Sequence, residues 1–176
     1  MRILLACILM LLPVSVAGQP TDADAMRVVY NETREFNFTN SVTPDLLSLQ
    51  VISGERCEST LMVYTVRRAA DHFPIFSETR ALSFYINNGD LEVFSDCPAA
   101  IALGAEDFWQ LHKKAVFTDP LSWIPEHANH TVYGDDDVKQ RAQGAQLICM
   151  SGYEAQFCSW FDPEAGGFKQ LLDFGF

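Results

Sequence analysis

The chain has 176 residues, 48% of them hydrophobic and 20% charged, and a formal net charge of −11. It is long and apolar enough to bury one core, which sets it apart from disordered chains. Its acidity repels phosphate, so nucleic acid and anionic membrane are poor partners.

Residues 1–18 have the parts of a secretory leader. Arg2 supplies the positive charge, residues 3–12 are apolar, and Val16, Ala17 and Gly18 form a small-residue cleavage pattern. The apolar run is too short to span a bilayer. Removal of residues 1–18 leaves a single domain over 19–176. Cys7 leaves with the leader. Cys57, Cys97, Cys149 and Cys158 remain, and an even count in a secreted chain points to two disulfides. Three pairings are open, and nearness in sequence favours Cys57–Cys97 with Cys149–Cys158. No later run is apolar enough to cross a membrane, so no transmembrane segment is expected after cleavage.

Residues 26–30 read as a first strand, and residues 34–39 continue or follow it. Polar Asn31, Thr33, Glu35, Asn37 and Thr39 alternate with Phe36 and Phe38. On a strand this places both asparagines toward solvent and both phenylalanines inward. Asn31 and Asn37 each open a glycosylation sequon, as does Asn129. Residues 40–45 form a turn around Thr43 and Pro44. Residues 46–53 alternate, with Leu47, Leu49 and Val51 on one face. Residues 57–66 read as a central strand rich in β-favouring side chains. Arg67 and Arg68 open a solvated connection, and residues 75–76 a short strand.

Residues 82–97 carry a hairpin pattern. Asn88 and Gly89 suit a two-residue type I′ loop, because both tolerate positive φ. That register gathers Leu82, Phe84, Ile86, Leu91 and Val93 on one apolar face, with Ser83, Tyr85, Glu92 and Phe94 opposite. Residues 99–103 read as another strand. Residues 106–116 read as a short helix, with acidic residues first, Lys113 and Lys114 last, and Phe108, Leu111 and Ala115 on one side.

Residues 117–137 read as a surface loop anchored by Trp123. Across 138–151 helical composition gives way to a strand pattern near Gly144. Residues 153–161 would pair with that strand, closed by Cys149–Cys158, and 168–176 form a terminal strand or a docking helix. These elements predict a mainly β fold. It is an antiparallel β-sandwich or jelly roll of about seven or eight strands with one short helix near 106–116.

Chemistry is sparse. His127, His130 and Asp135 have metal-ligand types, but a glycan on Asn129 would crowd them, and three consecutive aspartates lack the spacing of a calcium loop. A solvated acidic loop is the preferred reading. There is no nucleophile elbow and no Gly-rich phosphate loop, so no cofactor and no catalytic residue is assigned. The sequence points to a secreted glycoprotein that is an extracellular binding module for a protein or glycan partner. A carrier of a small apolar ligand inside a Phe-lined barrel comes second. A secreted hydrolase comes third, needing His72, His112, His127 or His130 beside an acid and a nucleophile.

Overall fold

The computed structural model describes residues 27–84, 86, 94–151 and 155–175. The expected leader, the Asn88-Gly89 turn and the strand at Leu91 and Val93 lie outside these. The described residues form two antiparallel sheets of four strands each and two helices.

The first sheet is a meander of β1 (Val28–Phe36), β2 (Asp45–Ile52), β3 (Leu61–Arg67) and β4 (Pro74–Ala81), in that spatial order. Period-two alternation sets its faces. Leu47, Leu49 and Val51 of β2 and Met62, Tyr64 and Val66 of β3 are all fully buried on one side. Asn31 and Asn37 are exposed while Phe38 is buried, as the alternation requires. Edge strand β1 turns polar side chains toward helix α1 (Cys97–Lys114). The indole N–H of Trp109 donates to Tyr30 Oη at 3.0 Å, Tyr30 donates to Glu32, and the Arg34 guanidinium lies 4.4 Å over the Trp109 ring. Inward charge of this kind discourages a bare strand edge from pairing with another chain.

Helix α1 begins nine residues before the expected start, so residues 99–103 are helical, not a strand. Asp96 caps it by accepting the Ala99 N–H at 3.1 Å, Pro98 sits in its first turn, and three alanines follow, the best helix formers. Its buried side is Ala100, Gly104, Ala105, Phe108, Trp109 and His112, wider than the expected stripe. Leu111 is only partly buried, against the second core.

The strand expected from Leu82 is instead a 3-10 turn, Leu82–Phe84. Strand β3 starts at Leu61, which pairs with Ala81, so β4 has no partner beyond that point. The Leu82 N–H donates to Thr60 O at 2.7 Å, and its side chain is driven inward onto Gly104. Residues 57–59 likewise form a 3-10 turn before β3, where a continuous strand was expected. The Cys57–Cys97 disulfide joins this turn to the start of α1.

The second sheet has the order β5 (Asn129–Val132), β8 (Gly167–Gly175), β7 (Ala155–Asp162), β6 (Leu147–Ser151). Strand β5 lies inside the stretch expected to be loop, held there by antiparallel pairing with β8. Helix α2 (Asp136–Ala142) precedes β6, with Gly144 (φ +78°) at the change of structure. Cys149 and Cys158 stand directly opposite each other on β6 and β7 and form the second disulfide.

One core lies between the first sheet and α1, reaching Ile148 of β6 and Phe168 of β8. The other lies between the second sheet, α2 and the 117–128 segment. No described strand passes from one sheet to the other, unlike the chain path of a jelly roll. Among the described residues neither sheet closes into the barrel that the carrier reading requires. The phenylalanines pack on one another instead, as Phe36 on Phe38, Phe76 on Phe168 and Phe161 on Phe168.

Candidate functional site

Among the described residues, two places hold side chains that folding alone does not explain. The first is one end of the first sheet. In a meander, the β1–β2 and β3–β4 connections emerge at the same end, here residues 37–44 and 68–73. Asp45 joins them. Its carboxylate is fully buried and accepts the Thr39 N–H at 2.8 Å and hydroxyl at 2.9 Å, and from the other loop the Ala69 N–H at 3.4 Å. A buried charge is retained at this cost only where such donors surround it.

Each loop also contains a residue other than glycine in the left-handed region, Asn40 (φ +53°) and His72 (φ +56°). Asparagine and histidine are enriched there, but the conformation still narrows what the loops can do. Arg68 fixes the second loop by a two-point contact with Asp71, at 3.0 and 2.6 Å, which holds the Asp71 carboxyl down at about 2. Arg67 donates to the His72 carbonyl. On this braced frame Val42 is completely exposed and Phe73 is 60% exposed.

The second place is an open cleft of about 850 Å³ beside the second sheet. Buried Phe117, Ile124 and Ala128 form its floor, and exposed Asp119, Glu126 and Asp136 stand around it. Its size lies in the range of small-molecule sites. Trp123 steadies the loop between them by donating its indole N–H to Val116 O at 2.8 Å, with its ring edge-on to Phe174.

The residues singled out in the sequence are dispersed. His130 lines the cleft from β5, and strand alternation turns Asn129 to the opposite face. Asp135 caps α2, accepting the Val138 N–H at 3.0 Å, and Asp136 and Asp137 form that helix's first turn. Among the described residues no three His, Cys, Asp or Glu side chains come together to hold a metal ion. Asn31, Asn37 and Asn129 are all exposed.

His112 is fully buried. Its Nδ1 faces the Phe108 carbonyl at 2.7 Å, and its Nε2 lies 3.1 Å from the Cys149 backbone N–H. The N–H can only donate, so Nε2 accepts and Nδ1 carries the proton. Burial pushes this imidazole down to about 4. Both nitrogens are committed to backbone, which leaves none for proton transfer to a substrate. Ser122, His130 and Asp136 all line the cleft, yet no hydrogen bond joins them.

Sequence reasoning missed Asp45, Val42 and Phe73. The signal for the last two was present: an isolated apolar residue within each polar turn. Comparison of the chain with protein-family models, curated proteins and solved structures finds no match.

Proposed function

We propose that this protein is a secreted glycoprotein acting as an extracellular binding module on a β-sandwich scaffold, with the two-loop end of the first sheet as its recognition surface. The observation that carries the reading is the display of Val42 and Phe73 on loops that Asp45 ties together. Exposed apolar side chains on rigid loops cost solubility and contribute nothing to the core. Their value lies in burial against a partner. Exposed apolar side chains on both loops favour an extracellular protein partner over a glycan. The leader pattern, three exposed sequons and two disulfides support the compartment.

The test has two stages. The chain is expressed in a secreting eukaryotic host, and the medium is examined for a protein whose mass falls on glycosidase treatment. Retention of an unglycosylated chain inside the cell would overturn the compartment. The secreted protein is then measured against arrayed extracellular proteins beside the double variant Val42→Asp, Phe73→Asp. Both positions are exposed, so the variant should melt with the parent, while partner binding falls at least about tenfold. Binding that survives both substitutions would remove the loops from the reading.

A further inference from the structure

The cleft beside the second sheet goes beyond the two-loop surface. Its floor is apolar: Phe117 is 5% exposed, and Ile124 and Ala128 are 8% exposed each. Its surround is acidic. Asp119, Glu126 and Asp136 are exposed, and none of them forms an ion pair with a described cation. Lys139 is the only lysine or arginine among the lining residues. By contrast the carboxylates at the nearby β7–β8 turn, Asp162 and Glu164, are held by Arg141, with Lys169 also on Asp162. Asp119 and Glu126 are thus left without a paired cation above an apolar hollow, on a chain that is acidic overall.

We infer that this cleft binds a small organic cation, a molecule with an apolar body and a protonated amine. The body would fill the hollow over Phe117 and Ile124, replacing water on apolar surface. The amine would stand at the mouth among Asp119, Glu126 and Asp136, where opposite charge attracts it and repels an anion of the same shape. Asn129 faces away from His130 and the cleft, so a glycan there leaves the entrance open.

The test uses the full secreted chain and matched probes. Tryptamine and indole-3-propionate share an indole and carry opposite charge. Calorimetric titration should show saturable binding of tryptamine, at least about tenfold tighter than indole-3-propionate. The double variant Asp119→Asn, Glu126→Gln should lose most of that preference while keeping its melting temperature, because both side chains are exposed and unpaired. The Val42→Asp, Phe73→Asp variant should bind tryptamine as the parent does, so failure of one surface is distinguishable from failure of the other. A preference for indole-3-propionate, or no saturable binding of either, would overturn the inference. Binding of a capped Lys-Trp-Lys peptide without binding of tryptamine would also overturn it, and would give the cleft to a basic protein segment.

Discussion

The Nε2 atom of His112 accepts the backbone N–H of Cys149 at 3.1 Å. Cys149 faces Cys158 across β6 and β7 with the two Cα atoms 4.0 Å apart, the close spacing of a pair without mutual backbone hydrogen bonds. The Cys149 N–H therefore points out of the sheet edge, where it would be orphaned. A histidine on α1 satisfies it, and so joins the core of the first sheet to the edge of the second. Gln146 strengthens the same seam by donating to the carbonyls of His112 and Ala115 at the end of α1.

This seam should be acid-sensitive. His112 is driven from 6.5 down to about 4 by burial, so the unfolded chain takes up the proton first. Its contribution is complete above pH 6.5 and is lost as pH falls toward 4, on the order of 3 kcal/mol across that window. His112→Phe keeps a ring but leaves the Cys149 N–H unpaired, costing about 1–3 kcal/mol at neutral pH. Denaturant unfolding of both proteins at several pH values checks this. The variant should lose the slope between pH 6.5 and 4, and an unchanged slope would show that other groups set it.

Gly104 should resist the substitution that usually improves a helix. Alanine gains about 1 kcal/mol over glycine inside a helix. Here its Cβ would lie 2.6 Å from Leu82 Cδ1, the end of a fully buried side chain that would have to shift within the core. Gly104→Ala is expected to destabilise by about 1–3 kcal/mol. Adding Leu82→Ala should make the pair less than additive in a double-mutant cycle. A stabilised single variant would refute the close packing.

The two disulfides should contribute unequally. Cys57–Cys97 closes a separation of 40 residues and Cys149–Cys158 only 9. Chain entropy alone assigns them about 4 and about 2.5 kcal/mol. Replacing the first pair by serines should lower the melting temperature more than replacing the second. The reverse order, measured by calorimetry, would mean that native contacts rather than chain entropy dominate.

Asp45→Ala should loosen two loops distant in sequence. It removes the acceptor for Thr39 and for Ala69, leaving part-buried donors unpaired at about 1 kcal/mol. Amide exchange should accelerate in both 37–44 and 68–73, and the partner binding proposed for this surface should weaken although Val42 and Phe73 are intact. Faster exchange in 37–44 alone would show that the 3.4 Å contact to Ala69 does not couple the loops.

Local patterning by itself determined much of the framework. Alternation at Leu47, Leu49 and Val51 specified a face, because successive strand side chains point to opposite sides wherever the strand lies. The Gly144 break separated α2 from β6, and nearness in sequence favoured the cysteine pairing that the structure shows. What the pattern could not specify were features set by partners far along the chain. Leu82 carries a good strand signal, but β4 runs out of partner at Leu61 and Gly104 offers it a hollow. Residues 99–103 are apolar in any conformation, and the Asp96 cap decided for helix. Only the tertiary structure brought Phe117, Ala128 and Asp136 around one cleft and placed Asp45 under both loops. It also gave His112 to a sheet-edge amide rather than to catalysis, since an unpaired buried donor costs more than a neutral imidazole costs to bury.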